Sequence, residues 1–244
     1  RPINFEEKIQ NTPPVASETI KKALRKYSVD ICLDRNLLLA FGDSFTAGGG
    51  RQSYPHVAAR LLNYNVENYA IGGSITDLIL PQLIKAGAKL FSATHIVLTI
   101  GGNDLAGLQS ILNIAQVNIT EYEQKCANFQ PTLVKTYNLI KSVVLPWTKI
   151  YAVPYVDFIS VGNKIPYEAE SHKILEAINN AVRNAAAEAK IGFIDSVIPA
   201  FLGHEMYSAD PYADGLDNLK NVFHPNQKGY EMIGKVVAAY IKLH

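Results

Sequence analysis

The stretch NLLLAFGDSFTAGGG, residues 36–50, joins an apolar run to a turn of small and polar residues. Continuous apolar residues are typical of a parallel strand that is covered on both faces. Gly42, Asp43 and Ser44 follow this strand, and glycine allows a tight turn at that point. Gly-Asp-Ser by itself is also an ordinary turn sequence. A functional interpretation of Ser44 therefore depends on what the other strand ends carry.

Further apolar runs follow, separated by amphipathic segments. We predict strands over 36–42, 66–72, 95–101, 149–156 and 191–196. We predict helices over 54–63, 75–87, 120–143, 168–190 and 227–243, with a kink at Pro131 in the third. This alternation of strands and helices predicts an α/β fold, with a parallel sheet covered by helices on both sides.

The length of 244 residues suits one α/β domain. No internal repeat, low-complexity tract or linker interrupts the pattern, so we expect a single domain over 1–244. We expect an extended N-terminal arm over 1–16, because Pro13 and Pro14 disfavour an early helix there. A short amphipathic helix is predicted over 17–28.

The composition restricts the classes of partner. Apolar residues make up 48 % of the chain and charged residues 18 %, which favours a folded domain with a sizeable core over a disordered one. The net charge of +1 gives no indication of a nucleic-acid partner. No apolar run is long enough to span a membrane.

Two weak signals favour secretion over a cytoplasmic location. The triplet Asn118-Ile119-Thr120 is an acceptor sequence for N-glycosylation. Cys32 and Cys126 are the only cysteines, and an even count permits one disulfide between them. Both signals also have ordinary explanations, because such a triplet arises by chance and two cysteines can be buried thiols. The first residues have no apolar segment typical of a signal peptide.

Other strand ends carry groups that complement a serine. The second strand is followed by Gly72 and Gly73, which can expose a backbone N–H or simply form a turn. The third is followed by Asn103, which offers a side-chain amide or a cap for a helix beginning near Leu105. His224 precedes the last helix, and a lone histidine is more often structural than catalytic. The remaining histidines form no close cluster with other metal ligands, so no metal site is expected.

Together these groups have the chemistry of a hydrolytic site. Loops that follow parallel strands meet at one edge of the sheet. A serine hydroxyl needs a base to accept its proton, and histidine suits this role near neutral pH. The oxyanion formed by attack on an ester needs hydrogen-bond donors. The backbone N–H groups of Ser44 and Gly73 and the amide of Asn103 are candidate donors.

Four blocks of the sequence resemble those of the SGNH hydrolases, the superfamily also called GDSL esterases and lipases. In chain order they are FGDSFTAGGG, NYAIGGSIT, IGGND and FHPNQKGY. The resemblance extends over about residues 36 to 240. It implies a flavodoxin-like, three-layer α/β/α fold with a central five-stranded parallel sheet. It also implies ester hydrolysis without a cofactor.

Residue by residue, the resemblance implies that Ser44 is the nucleophile, Gly73 and Asn103 are oxyanion donors, and His224 is the base. The family usually has an aspartate three residues before the histidine, and here that position is Asn221. The absence of an acid there resembles the secreted lipase and phospholipase branch, in which a Ser–His dyad works with a backbone carbonyl.

We therefore expect a dyad in which residue 221 orients His224 through its side-chain oxygen or its main-chain carbonyl. A relocated acid is the alternative. Asp217 is the preferred candidate for it, and Asp214 also lies nearby in the sequence.

The expected activity is that of a serine esterase acting on carboxylic esters, with lipid or acyl esters as the expected substrates and a small-molecule ester or lipid as its partner. A carbohydrate O-acetyl esterase is the alternative within the enzyme class. The alternative of another class is a non-catalytic SGNH scaffold used for binding, in which Asn221 marks the decay of a triad.

Overall fold

The strands form one parallel sheet in a computed structural model that describes residues 36–244. The strands are β1 (Leu37–Gly42), β2 (Asn65–Asn68), β3 (His95–Thr99), β4 (Lys149–Ala152) and β5 (Gly192–Phe193). Their order in the sheet is β2-β1-β3-β4-β5, and every neighbouring pair is parallel. β1 lies inside the sheet, and Leu38 to Phe41 are fully buried.

Helices cover both faces of this sheet. They are α1 (Ser44–Ala47), α2 (Tyr54–Leu62), α3 (Ile79–Ala86), α4 (Gly107–Leu112), α5 (Ile119–Val143), α6 (Glu168–Ala189) and α7 (Gln227–Leu243). Short 3₁₀ turns lie at Thr76–Leu78, Gly87–Phe91, Ile114–Gln116 and Asp195–Phe201. α5 packs on α6, and α2 packs on α7. The predicted three-layer α/β/α architecture is confirmed.

The predicted helices over 54–63, 168–190 and 227–243 agree with α2, α6 and α7 to within one residue at each end. The strands after β1 end earlier than predicted. β4 stops at Ala152 although its apolar run continues, because Pro154 has no N–H with which to extend the ladder. The apolar residues beyond the strand ends form the loops around the site instead.

Several sequence predictions concern the N-terminal residues, the two cysteines and the glycosylation triplet. The arm over 1–16, the helix over 17–28 and Cys32 lie outside the described residues. Cys126 is a buried thiol without a disulfide partner among residues 36–244, and burial raises its pKa to about 11. Asn118 caps α5 by accepting the Glu121 N–H, so a structural role explains this asparagine. Its glycosylation, the disulfide and secretion stay predictions.

Within residues 36–244, no helix combines the length and the apolar character that crossing a bilayer requires.

The packing of α7 on α2 requires a glycine. A Cβ built on Gly234 would lie 2.4 Å from the Cβ of Val57, which is closer than real Cβ atoms approach. We predict that Gly234→Ala lowers the free energy of unfolding by about 1–3 kcal/mol, because it overpacks this contact. Helix propensity alone would give a gain of about 1 kcal/mol. Urea denaturation measures the difference.

Two variants control this experiment. Val57→Ala combined with Gly234→Ala should recover part of the loss, because it removes the Cγ1 of Val57, which also lies 2.4 Å from the added Cβ. Lys235→Ala, at the exposed neighbouring position, should be nearly neutral. A stabilising Gly234→Ala would contradict the close contact between the two helices.

Candidate active site

The centre of the site is a hydrogen bond between Ser44 and His224. The Ser44 Oγ lies 2.7 Å from the Nε2 of His224. Ser44 is the first residue of α1, directly after β1, and Asp43 caps this short helix by accepting the N–H of Phe45. His224 precedes α7, whose cap is Asn226. The end of the central strand and the start of the last helix therefore bring the two side chains together.

A backbone carbonyl fixes the tautomer of His224. The Nδ1 of the ring lies 2.8 Å from the carbonyl oxygen of Val222. A carbonyl only accepts hydrogen bonds, so Nδ1 carries the proton. Nε2 then presents its lone pair to Ser44, and the serine hydroxyl donates to it.

The prediction that Asn221 orients the ring of His224 is wrong, because the carbonyl that contacts Nδ1 belongs to the next residue, Val222. The carbonyl of Asn221 accepts the backbone N–H of His224 at 3.0 Å, which closes a tight turn. Phe223 takes a left-handed conformation in that turn, with a φ of 62°. The turn folds the ring back over the carbonyl of Val222, and the Asn221 carbonyl makes only a smaller contribution at the ring. The side chain of Asn221 lies instead against Gly49.

The environment keeps His224 neutral. Burial lowers the pKa of His224 below its ordinary value of 6.5, and the charge of Arg51 acts in the same direction. The Val222 carbonyl and the Asp214 carboxylate oppose this shift in the pKa. A neutral imidazole near pH 7 is the form that can accept a proton.

Neither nearby aspartate takes the place of the missing acid. Asp217 is exposed to solvent. Asp214 forms an ion pair with Arg51 at 2.7 Å, and Arg51 also donates to the carbonyl of Pro225 at 2.7 Å. Both ring nitrogens of His224 already have partners, namely Ser44 and Val222. Among the described residues, the ring of His224 therefore has a serine hydroxyl and a backbone carbonyl as hydrogen-bond partners, and no carboxylate.

Two loops at the same edge of the sheet carry the predicted oxyanion donors. A Cβ on Gly72 would lie 3.9 Å from the Cβ of Ser44, so this loop passes beside the serine. Gly73 follows with a φ of 79°, a conformation that glycine allows readily. Asn103 and Ser44 line the same cleft. One Nδ2 hydrogen of Asn103 binds the carbonyl of Ser74 at 2.9 Å, which leaves its second hydrogen available.

Buried polar side chains join these loops to each other and to β1. The carboxylate of Asp104 accepts the backbone N–H of Thr76 at 3.1 Å and its hydroxyl at 2.7 Å. Gln82 is 1 % exposed and binds both the N–H and the carbonyl of Gly42. Its amide nitrogen also donates to the hydroxyl of Ser74 at 3.1 Å. The two donor loops are therefore fixed relative to the end of the nucleophile strand.

An apolar cleft opens beside Ser44, Asn103 and His224. The cleft is open to solvent at its mouth. Aromatic rings form one wall, and they belong to Phe45, Tyr155, Phe158 and Phe223. Aliphatic side chains of α4 and α6 form the other, and they belong to Leu108, Ile111, Leu175 and Ile178. Apolar walls of this kind favour an apolar group beside the Ser44 hydroxyl.

Sequence reasoning did not identify several residues that support this site. Val222 acts through its backbone, so its side-chain identity carries no signal. Gln82 lies in a segment correctly predicted as helical, and a polar residue on its buried face was the available clue. Arg51 and Tyr155 carry no motif that the sequence alone distinguishes.

Metal ligands are not grouped at this site or elsewhere in the described part of the chain. Among residues 36–244, no group of three or more histidine, cysteine, aspartate or glutamate side chains is arranged to hold a metal ion.

Comparisons with known proteins find similarity in sequence and in fold. The GDSL-like Lipase/Acylhydrolase family model matches residues 40–232. No curated protein matches the chain.

Solved structures share the fold at low sequence identity. The extracellular lipase of Streptomyces rimosus has a TM-score of 0.69 and 21 % identity, and the match covers 84 % of this chain and 99 % of that one. Phospholipase A1 of Streptomyces albidoflavus NA297 has a TM-score of 0.67 and 20 % identity, over 85 % and 99 % of the two chains. A lipase from a goat rumen metagenome has a TM-score of 0.63 and 19 % identity, over 84 % and 96 %.

The carboxylate of Asp43 gives the site a measurable pH dependence of stability. Burial raises the pKa of Asp43 to about 7, although hydrogen bonds from Tyr155 and the Phe45 N–H oppose the shift. The folded state therefore binds this proton more tightly than the unfolded chain does. The stability that Asp43 contributes is present at low pH and is lost as the pH rises from about 4 to about 7, by up to about 4 kcal/mol.

We predict that Asp43→Asn removes this loss, because an amide does not titrate. Urea denaturation of wild type and variant at several values of pH from 4 to 8 measures it. The stability of the variant relative to wild type should rise with pH. For Asp217→Asn, which alters an exposed carboxylate, the stability relative to wild type should change far less with pH. A difference independent of pH for Asp43→Asn would contradict a raised pKa in the folded protein.

Proposed function

The chain belongs to the GDSL-like lipase/acylhydrolase family and is an ester hydrolase, and on this basis we propose that it cleaves carboxylic esters of apolar acyl groups, lipid esters among them, through a Ser44–His224 dyad. The observation that carries the proposal is the 2.7 Å contact between Ser44 Oγ and His224 Nε2 at the mouth of an apolar cleft.

The proposed reaction begins with proton transfer. His224 Nε2 accepts the Ser44 proton as Oγ attacks the carbonyl carbon of the ester. The resulting oxyanion accepts hydrogen bonds from the N–H groups of Ser44 and Gly73 and from the free Nδ2 hydrogen of Asn103. His224 then returns the proton to the leaving alcohol. In the second half of the reaction, water attacks the acyl carbon while His224 accepts a proton from it. His224 returns this proton to Ser44 Oγ as the acid is released.

The carbonyl of Val222 performs part of the work of a triad carboxylate. It fixes the same histidine tautomer, since it accepts from Nδ1 at 2.8 Å. It lacks a full negative charge, so it stabilises the imidazolium less than a carboxylate does. The loss of the third acid therefore leaves the geometry of proton transfer intact.

The character of the cleft supports an acyl chain as the bound group. Aromatic and aliphatic side chains form its walls, and such walls offer few partners for the hydroxyl groups of a sugar. Lipase and phospholipase A1 are the names of two proteins with a similar fold. An acyl or lipid ester is therefore favoured over an acetylated carbohydrate.

The nucleophile is tested by labelling with a short-chain organophosphonate, followed by mass spectrometry of the peptide that contains Ser44. We expect stoichiometric labelling at Ser44 and none in Ser44→Ala. A folded wild-type protein that hydrolyses no ester and takes up no label would instead support a binding scaffold.

The dyad is tested by comparing two variants in the hydrolysis of p-nitrophenyl butyrate. His224→Ala should lower kcat by at least about 10³-fold, because the serine loses its base. Asp217→Ala should stay within about twofold of wild type, because its exposed carboxylate contacts neither ring nitrogen of His224. If Asp217→Ala were as inactive as His224→Ala, the relocated acid would replace the dyad.

The acyl cleft is tested by a series of p-nitrophenyl esters from acetate to laurate. Ile178 is 2 % exposed and lines the cleft, so Ile178→Ala should extend the space available to the chain. We predict that kcat/KM for octanoate relative to acetate rises about tenfold, the scale of one or two methylene groups in an apolar pocket.

Ile174→Ala is the matched control for that series. Ile174 is fully buried on the same helix α6 and does not line the cleft, so its truncation should weaken the core with little change in chain-length preference. Equal preferences in the two variants would argue against an acyl chain in this cleft. Acetylated xylan, assayed in parallel, tests the carbohydrate esterase alternative.

A further inference from the structure

The residue before the proposed nucleophile carries a buried carboxylate that the reaction steps do not use. Asp43 is 2 % exposed. Its Oδ1 accepts the backbone N–H of Phe45 at 2.9 Å, which holds the first turn of α1. Its Oδ2 accepts a hydrogen bond from the hydroxyl of Tyr155. The conformation of the chain at Ser44 is therefore linked to a tyrosine that follows β4.

The same tyrosine hydroxyl also holds the loop that carries Asn103. The backbone N–H of Gly102 donates to the Tyr155 oxygen at 2.8 Å. A Cβ on Gly102 would lie 2.8 Å from that oxygen, so the loop rests directly on the ring. One hydroxyl thus donates to the residue before Ser44 and accepts from the residue before Asn103.

Tyr155 is itself held firmly. Its backbone N–H donates to the Oδ1 of Asn179 at 2.9 Å, and its carbonyl accepts from the Nδ2 of Asn179 at 2.8 Å. Asn179 is 2 % exposed and lies on α6. The ring of Tyr155 meets the ring of Phe45 edge-on, with centroids 5.0 Å apart. Helix α6 therefore fixes the position from which the hydroxyl acts.

We infer that Tyr155 is a positioning residue that sets the distance between Ser44 and the oxyanion donor Asn103, through Asp43 on one side and Gly102 on the other. The inference rests on the proposed function of Ser44 and Asn103, and it adds a residue that none of the four sequence blocks contains. The hydroxyl donates its hydrogen to Asp43 and accepts from Gly102, and it acts through these two hydrogen bonds rather than on the substrate.

The physical argument is one of preorganisation. Oxyanion donors stabilise the transition state only when they already point at the position the oxygen will take. Displacing a catalytic group by about 1 Å lowers the rate by about 10²-fold. Removing the Tyr155 hydroxyl leaves the Oδ2 of Asp43 and the N–H of Gly102 without this partner in a buried setting, so both loops must adjust. Substrate binding in the apolar cleft keeps the tyrosine ring and is affected much less.

The test is Tyr155→Phe, assayed with p-nitrophenyl butyrate and with a short-chain trifluoromethyl ketone, which forms an oxyanion adduct with a nucleophilic serine. We expect kcat to fall about 10- to 100-fold with KM within about threefold of wild type. Affinity for the ketone should fall in proportion to kcat/KM, because it mimics the transition state. A structural defect would instead change KM and kcat together or lower the amount of folded protein.

Tyr151→Phe is the matched control. Tyr151 is a buried tyrosine on β4, and its hydroxyl has no hydrogen-bond partner in the described part of the chain. Its removal should leave both kinetic constants unchanged. A Tyr155→Phe enzyme with the kcat of Tyr151→Phe would overturn the inference.

Asp43→Asn provides the second arm and is decisive where Tyr155→Phe fails to fold. A single amide oxygen cannot serve both Phe45 and Tyr155, so kcat should fall with KM unchanged. The double variant should be no slower than the slower single variant, because both changes interrupt one connection. The inference would be overturned if the fold losses in kcat of the two single variants multiplied in the double variant. It would also be overturned if Asp43→Asn kept the wild-type kcat. A wild-type enzyme that leaves Ser44 unlabelled by the phosphonate would instead remove the proposed function beneath it.

Discussion

The hydrogen bond between Ser44 and His224, 2.7 Å long, joins residues 180 positions apart and is the contact on which the site depends. It requires β1 to deliver the serine and the turn before α7 to deliver the imidazole. It also requires the ring to present Nε2 without a proton. The carbonyl of Val222 meets this last requirement at 2.8 Å, so the backbone fixes the tautomer as a carboxylate does in a triad, without the carboxylate's negative charge.

The rest of the site consists of loops that follow parallel strands, and hydrogen bonds from buried side chains hold these loops in place. Gln82 holds the end of β1 and the hydroxyl of Ser74, while Asp104 holds Thr76. Tyr155 connects Asp43 with Gly102. Each of these side chains saturates buried backbone groups that would otherwise be unpaired, so the hydrogen bonds that satisfy the fold also aim the proposed catalytic groups. Rigidity at the strand ends and preorganisation of the site have the same physical origin.

The sequence predicts the parts of this arrangement that follow from pattern. Apolar runs alternating with amphipathic segments predict the parallel sheet, and the rule that strand ends meet at one edge predicts that Ser44 and Asn103 lie close together. The sequence does not predict the parts that depend on tertiary contact. Val222 acts through a carbonyl that every residue possesses. Asn103 and Asp104 read equally well as a helix cap, whereas Asp104 binds Thr76 on another loop. Tyr155 is one of 13 tyrosines, and only its position over Gly102 distinguishes it.

The proposed reaction requires His224 to be a neutral base whose Nδ1 proton is held by a backbone carbonyl. Nitrogen NMR of protein with ¹⁵N-labelled histidine rings tests it most directly, with His224→Gln used to assign the signals. We predict that at pH 7 the ring of His224 is uncharged, with a proton on Nδ1 and none on Nε2, and that it gains its second proton only below pH 6.5, because burial lowers its pKa. A ring that is charged at pH 7, or that carries its single proton on Nε2, would rule out His224 as the base that Val222 orients.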